Sequence, residues 1–100
     1  MPVLVRYTPS GLTLDQYNSV DRKLKKAGVW PPAGLVAHVC FDAGGGLHVS
    51  EVWKSREQHQ AFAERLMPLL QEANVDLSGG PQFLDVESYM FVEASSESSD

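Results

Sequence analysis

The sequence predicts one α+β domain whose strands and helices follow the order β-α-β-β-α-β. Two segments, 13–28 and 55–70, carry apolar residues at helical spacing behind a polar N-cap residue. Runs rich in β-branched and aromatic residues lie before, between and after these segments. One hundred residues with 43% hydrophobic and 21% charged side chains suit a single globular domain with a modest core.

The first part of the chain predicts a strand followed by a helix. Residues 3–7, VLVRY, form the strand, which ends at the turn sequence TPSG. Thr13 is the predicted N-cap of the helix, Gln16 completes a capping box, and Gly28 suits the position after the helix. The buried side of the helix consists of apolar residues three or four positions apart, namely Leu14, Tyr17, Val20 and Leu24.

The middle of the chain predicts a β-hairpin and a second helix. Strands at 35–42 and 47–54 are joined by three glycines, which permit the backbone angles of a tight turn. Ser55 is the predicted N-cap of the second helix, and Pro68 is expected to kink or divide it. His59 is expected to be a partly exposed surface residue at the edge of the buried side of this helix.

The last strand is predicted over 82–92, and it completes a ferredoxin-like, split βαβ arrangement. The following segment, 93–100, has the sequence EASSESSD and no core-forming residue. We therefore predict a single domain over 1–92 and a disordered acidic tail.

One face of the predicted sheet indicates self-association. Helices on one side of a four-stranded sheet leave the other side bare unless a partner covers it. Phe83, Tyr89 and Phe91 lie on the same side of the last predicted strand, and a solvated face would not need three aromatic residues. We expect a homodimer in which two sheets face each other around a partly apolar cavity.

Charge and composition narrow the range of other partners. The formal net charge is −5 and no extended basic surface is predicted, so we expect no nucleic-acid partner. No apolar run approaches the roughly 20 residues that span a bilayer, and the N-terminal sequence MPVLVRYTPS has no basic region followed by an apolar one. We expect no membrane association and a cytoplasmic location. Cys40 is the only cysteine, which excludes an intramolecular disulfide.

The predicted hairpin places a histidine opposite a carboxylate. A loop of two or four residues pairs Asp42 with Leu47, Cys40 with Val49, His38 with Glu51, and Val36 with Trp53. The side that carries His38 and Glu51 is expected to face the dimer cavity, and the smaller residues of the other side are expected to lie beneath the helices. His48 is then expected near the end of the helix-covered side.

The pair of His38 and Glu51 has two interpretations. The functional one is a general base, His38, oriented by the carboxylate of Glu51 inside a cavity. The structural one is a cross-strand ion pair that satisfies two polar groups. A metal site has less support, because His38 and Cys40 share a face but no third ligand follows at a recognisable spacing. We expect no metal and no other cofactor.

Several further residues are candidates for contact with a bound substrate. On the predicted cavity side, the ring of Trp53 would line the cavity, and Tyr89 would hydrogen-bond a phenol or carbonyl. Arg6 would hold an anion. Each of these residues also has a structural interpretation, as a core, packing or strand-edge residue. The full predicted substrate-binding set is Arg6, Cys40, Val49, Trp53, Tyr89 and Phe91.

The segment 47–66, LHVSEVWKSREQHQAFAERL, resembles the dimeric α+β-barrel superfamily and in particular the antibiotic biosynthesis monooxygenases. The resemblance rests on a strand ending in Glu-x-Trp, a short polar step and a helix that carries Ala-Phe, here Glu51, Trp53, Ser55, Ala61 and Phe62. It implies a ferredoxin-like fold that forms a homodimer. Members of this superfamily include oxygenases of aromatic polyketide intermediates that use neither metal nor flavin, haem-degrading enzymes and small isomerases.

The sequence therefore supports two hypotheses of function. The first is a cofactor-independent oxygenase or isomerase that acts on an apolar or aromatic molecule, with His38 as base and Glu51 as the group that orients it. The second is a non-catalytic homodimer that binds a small hydrophobic ligand or has a structural role. A cavity too small for a ring system would favour the second hypothesis.

Overall fold

The computed structural model describes residues 1–90 and 92, and it confirms the predicted order of elements. The elements are β1 (Val3–Tyr7), α1 (Leu14–Lys26), β2 (Leu35–Asp42), β3 (Leu47–Trp53), α2 (Arg56–Glu72) and β4 (Pro81–Asp85). The four strands form one antiparallel sheet in the order β2-β3-β1-β4, which is the predicted ferredoxin-like α+β fold. The predicted tail at 93–100 lies outside the described residues.

One hydrophobic core joins the sheet to both helices. Val3, Val5 and Trp53, from the two central strands, are at most 1% exposed. Val20 of α1 and Phe62 of α2 pack against them in the same cluster. Among the described residues, no helix is long and apolar enough to cross a membrane.

Both helices begin where the sequence predicts, and the second continues further than expected. The Thr13 side chain accepts a hydrogen bond from the Gln16 amide, and the Gln16 side chain accepts one from the Thr13 amide. Ser55 caps α2, which then runs through Pro68 without a break, so the predicted division is wrong. Pro68 has no amide hydrogen to donate to the Glu64 carbonyl one turn earlier. Both residues are exposed, so water can hydrogen-bond to this carbonyl.

The last strand is shorter than predicted, because its partner strand ends. β4 is the edge strand beside β1, and it stops at Asp85 rather than at Val92. Asp85 lies opposite Val3, the first residue of β1, and one further bond joins the Val86 amide to the Pro2 carbonyl at 3.1 Å. Beyond that point β1 offers no backbone for a ladder.

The helices cover the opposite side of the sheet from the one predicted. His38 and Glu51 lie opposite each other as predicted, but their side of the sheet faces the helices. The pairing of β1 with β3 sets this side, because Val3 lies opposite Trp53 and Val5 lies opposite Glu51. The prediction assigned small side chains to the space beneath the helices, whereas a large aromatic residue, Trp53, fills it.

The local register of the hairpin also departs from the prediction at one end. A β-bulge lies between Leu35 and Ala37, and it places Leu35 opposite Trp53. The predicted pairing of Val36 with Trp53 is therefore wrong, while the other three predicted pairs are confirmed.

The remaining side of the sheet, called the open face below, is not covered by either helix of the described residues. Its apolar members are Leu4, Ala37, Val39, Phe41, Val52 and Leu84. Val39, Phe41 and Leu84 are 54%, 37% and 39% exposed. His48 also lies on this face, with its ring 6.0 Å from that of Phe41, so its predicted position beneath the helices is wrong. The open face is therefore apolar, as predicted, but the predicted aromatic residues do not form it as a set, because Phe83 packs on the helix side.

Candidate active site

A cavity lies between the sheet and the two helices. Its volume is about 140 Å³, close to the roughly 150 Å³ of an engineered apolar cavity that binds benzene. Most of its wall is apolar, with Val20, Leu24, Phe62, Leu66 and Leu70 from the helices. Polar residues of the wall include Tyr7, Tyr17, His38 and Glu51, with Thr8, Asp21 and Asp76 at other positions. The site therefore combines space for one aromatic ring with a small set of convergent polar groups.

A buried carboxylate orients one of the two histidines near this cavity. Glu51 is only 4% exposed, and its Oε2 accepts a hydrogen bond from Nδ1 of His38 at 2.7 Å. The indole Nε1 of Trp53, two positions further along β3, donates to the other carboxylate oxygen at 3.0 Å. Because a carboxylate accepts but does not donate, the neutral His38 carries its proton on Nδ1 and leaves Nε2 as an acceptor.

Tyr17 completes this group of side chains. Its hydroxyl lies 2.7 Å from Nε2 of His38, and the ring of Trp30 meets the imidazole edge-on at 5.0 Å between centroids. Burial raises the pKa of Tyr17 to about 12, with further contributions from Cys40, Asp21 and Glu51. The phenol is therefore protonated at neutral pH and donates to Nε2. We call Tyr17 and His38 the carboxylate-linked pair, because Nδ1 of His38 is bonded to the carboxylate of Glu51.

A second tyrosine–histidine pair, called the buried pair below, lies in a different environment. The Tyr7 hydroxyl is hydrogen-bonded to Nε2 of His59, which is 2% exposed and lies between the rings of Trp53 and Phe83 at 5.4 and 5.3 Å. Within the described residues, Nδ1 of His59 is buried with no hydrogen-bond partner.

Burial sets the protonation of both members of the buried pair. It lowers the pKa of His59; the Glu51 charge acts in the opposite direction, and the Arg56 charge lowers this pKa further. Burial and the Glu51 charge together raise the pKa of Tyr7 above its ordinary range. Both side chains are therefore neutral near pH 7. The predicted surface position of His59 is wrong, because a residue three positions before Phe62 shares its helix face.

The structure brings together most of the hairpin residues predicted for the site. His38 and Val49 line the cavity with Glu51, while Trp53 lies behind the cavity wall and contacts it through Glu51. Cys40 is half-buried on the same side of β2, and burial raises the pKa of its thiol, but it does not line the cavity.

Arg6 and Tyr89, two further predicted substrate-binding residues, do not line the cavity within the described part of the chain. Arg6 is exposed and lies on the open face, opposite Ser50. Tyr89 follows the end of β4 and is 47% exposed. Phe91 lies outside the described residues. Arg6 lies away from the cavity because the helices cover the other side of the sheet, and Tyr89 lies beyond the sheet because β4 ends at Asp85.

Tyr7, Tyr17, Trp30 and His59 are site residues that the sequence analysis missed. Tyr17 belongs to the predicted buried side of α1, but helical spacing does not identify the polar partner of its hydroxyl. Tyr7 lies on the same side of β1 as Val3 and Val5, and no local pattern marks it as a site residue. No group of three metal-binding side chains occurs within the described residues.

Comparisons with known proteins support the fold. No protein-family model matches the chain, and no curated protein matches its sequence. The solved structures that are similar along nearly the whole chain include the following two. The first is the NE2512 protein of unknown function from Nitrosomonas europaea, with 15% identity, a TM-score of 0.59, and coverage of 93% of this chain and 94% of that one.

The second similar structure is SnoaB, a cofactor-independent oxygenase from Streptomyces nogalater. It shows 12% identity and a TM-score of 0.53, with coverage of 89% of this chain and 94% of that one. At these identities the likeness establishes the fold. It confirms the predicted ferredoxin-like α+β fold.

Proposed function

We propose that this protein is a small-molecule enzyme that removes a proton from an apolar or aromatic substrate in the cavity, without a cofactor. His38 is the base and Glu51 orients it. The observation that carries this proposal is the hydrogen bond from His38 to a buried carboxylate at the edge of an apolar cavity. This carboxylate also accepts a hydrogen bond from Trp53. The fold likeness to a cofactor-independent oxygenase is consistent with it.

The proton-transfer step follows from the hydrogen bonds of His38. An acidic C–H or O–H of the substrate delivers its proton to Nε2, either in place of the Tyr17 hydroxyl or through it. The imidazolium that forms is stabilised by the adjacent Glu51 carboxylate, which Trp53 holds in place. The apolar part of the wall lowers the local dielectric constant, which strengthens these electrostatic interactions.

The carbanion or enolate that remains has two outcomes. Return of the proton from His38 to a different carbon gives an isomer. Alternatively, the electron pair forms a C–O bond with dioxygen, which is reduced while the carbon is oxidised; the His38 proton then gives a hydroperoxide, and loss of water leaves a carbonyl. Neither outcome requires a metal or flavin.

A non-catalytic ligand-binding protein is the second candidate. The cavity itself favours it, because space for one ring and an apolar wall are sufficient for binding. The Tyr17 hydroxyl also already occupies Nε2 of His38.

Deuterium exchange of 2-indanone separates the two candidates. This ketone has benzylic C–H groups next to its carbonyl, and loss of these protons in heavy water is measured by NMR. We expect exchange to be faster with the wild-type protein than in buffer, and to fall about 100-fold or more in His38→Ala. His48→Ala is the matched control, because it removes a histidine outside the cavity. Binding of 2-indanone without exchange would favour the ligand-binding protein.

We also propose that the open face mediates a homodimer. Cross-strand pairing places Leu84, Leu4, Val52 and Ala37 in one apolar row across the sheet. Soluble monomers rarely leave a large contiguous apolar patch in water. The cavity lies on the other side of the sheet, so this dimer does not enclose it, in contrast to the arrangement that the sequence predicts.

Sedimentation tests the dimer. We expect a dimer at micromolar concentration, dissociation in Val39→Lys, and no change in Gln71→Lys, which adds the same charge on the exposed side of α2. A wild-type monomer at that concentration would refute the dimer and leave the proposed chemistry untouched.

A further inference from the structure

We infer that Tyr7 is a second catalytic residue of the cavity, whose hydroxyl donates a hydrogen bond to a substrate carbonyl oxygen as negative charge develops there. His59 is the positioning residue that holds this hydroxyl. The inference rests on the proposed function and deepens it, because it specifies the substrate as a carbonyl compound with an acidic C–H next to the carbonyl carbon.

The first step of the argument is that Tyr7 and His38 reach the same space. Tyr7 lies opposite Val49 in the pairing of β1 with β3, on the side of the sheet that also carries Glu51. Tyr7, Val49, Glu51 and His38 all line the cavity. A ligand beside the base is therefore also within the space that the Tyr7 phenol borders.

The second step concerns the direction of the hydrogen bond between Tyr7 and His59. A neutral imidazole carries one proton, and within the described residues Nδ1 of His59 has no partner. A proton on Nδ1 would be a buried donor without an acceptor, which is rarer in proteins than an unsatisfied acceptor. The proton is therefore assigned to Nε2, which donates to the Tyr7 oxygen. The Tyr7 hydrogen is then not used in the bond to His59, and we infer that it is available to a ligand in the cavity that Tyr7 lines.

The third step is that the two pairs are suited to opposite tasks. His38 is bonded to a carboxylate, which stabilises the proton that a base receives. Among the described residues no carboxylate is bonded to His59, and burial lowers its pKa. Because burial and the Glu51 charge raise the pKa of Tyr7, this phenol stays protonated and acts as a donor. One pair accepts a proton, and the other stabilises an oxyanion.

The step that these groups support is balanced in atoms and electrons. The C–H bond next to the carbonyl breaks, and its proton moves to Nε2 of His38. The electron pair forms a carbon–carbon double bond, and the π electrons of the carbonyl move to its oxygen, which accepts the hydrogen bond from Tyr7. Return of the proton to the same carbon gives exchange, and its return to another carbon gives an isomer.

The binding of para-nitrophenolate tests the donor role of Tyr7 without turnover. This single-ring oxyanion resembles the enolate in charge, and its absorbance reports its ionisation. Nitrobenzene is the matched probe without the oxyanion. In Tyr7→Phe we expect binding of para-nitrophenolate to weaken roughly 10- to 100-fold, while nitrobenzene binding is nearly unchanged. Weakening in His59→Leu and recovery in His59→Gln, whose amide can donate, would show that His59 acts through Tyr7.

Three results would overturn the inference. The first is that para-nitrophenolate does not bind the wild-type protein at millimolar concentration. The second is that Tyr7→Phe weakens the binding of both probes equally. The third is a set of imidazole nitrogen chemical shifts that place the His59 proton on Nδ1. The last measurement needs no variant, so it remains valid if Tyr7→Phe does not fold.

The exchange of 2-indanone separates this inference from the proposed function. Exchange that is lost in His38→Ala but unchanged in Tyr7→Phe overturns the role of Tyr7 alone. Oxyanion binding that depends on Tyr7, with no exchange that depends on His38, overturns the proposed enzyme and keeps Tyr7 as the donor of a binding site.

Discussion

The carboxylate-linked pair and the buried pair use the same two residue types for different chemistry. In each pair a tyrosine hydroxyl meets Nε2 of a histidine. Nδ1 of His38 is bonded to Glu51, whereas Nδ1 of His59 has no partner within the described residues. The comparison shows that the group on the far side of the imidazole decides whether the pair can accept a proton.

The elements that carry the two histidines explain this difference. His38 lies on β2, where sheet pairing places a carboxylate directly opposite it. His59 lies on α2 and packs against the rings of Trp53 and Phe83. The charge of Glu51 nonetheless acts on the buried pair as well, since it raises the pKa of Tyr7 and that of His59. The two pairs therefore form one electrostatic unit around one carboxylate.

Removal of that carboxylate should have the largest effect. Glu51→Ala leaves the Nδ1 hydrogen of His38 and the indole hydrogen of Trp53 without their acceptor in a buried site. We expect the free energy of unfolding to fall by about 3–5 kcal/mol, as measured by urea denaturation.

Glu51→Gln is the matched control for this prediction. It keeps the size of the side chain and one carbonyl oxygen, so it should cost less than Glu51→Ala. A loss below about 1 kcal/mol in Glu51→Ala would mean that the carboxylate does not hold the carboxylate-linked pair in place.

Removal of each tyrosine hydroxyl compares the two pairs directly. Tyr7→Phe deletes the partner of a histidine that is 2% exposed, and Tyr17→Phe deletes the partner of one whose side chain is 21% exposed. We expect losses of about 1–3 kcal/mol for Tyr7→Phe and about 0.5–1.5 kcal/mol for Tyr17→Phe, because water can replace the hydroxyl only at the more exposed site. Equal losses, measured by denaturation at the same pH, would contradict the difference in burial.

The sequence predicts the carboxylate-linked pair much better than the buried pair. The alternation of a hairpin is sufficient to place His38 opposite Glu51, because pairing is local and the turn fixes the register. Which side of the sheet the helices cover depends on β1, which is distant in sequence and places Val3 opposite Trp53. The hairpin alone does not contain that information, so the prediction chose the wrong side.

The buried pair depends on contacts that local patterns do not encode. Tyr7 and His59 are 52 positions apart and belong to a strand and a helix that are not adjacent in the chain. The helical spacing of His59 and Phe62 is compatible with a buried histidine, but polarity favoured the surface. The helical spacing of α1 is sufficient to place Tyr17 on its buried side. The hydrogen bond from Tyr17 to His38 depends in addition on how α1 lies across β2. The order of strands and helices can therefore be predicted from the sequence, whereas the hydrogen-bond partners of polar core residues can be identified only from the tertiary structure.

The pH dependence of stability should give the smallest of these effects, and it isolates His59. Burial lowers the pKa of this histidine in the folded state below the value of about 6.5 in the unfolded state. The unfolded chain therefore binds more protons as the pH falls, so the stabilisation is complete above about pH 6.5 and is lost as the pH drops through the folded-state pKa. We expect this loss to reach at most about 1.4 kcal/mol per pH unit in the wild-type protein.

This pH-dependent loss of stability should be absent from both His59→Gln and His59→Leu, although these variants differ from each other in stability at neutral pH. The same slope in the variants and the wild type would show that His59 can take up a proton in the folded protein, and the buried pair would then not differ from the carboxylate-linked pair in its capacity to act as a base.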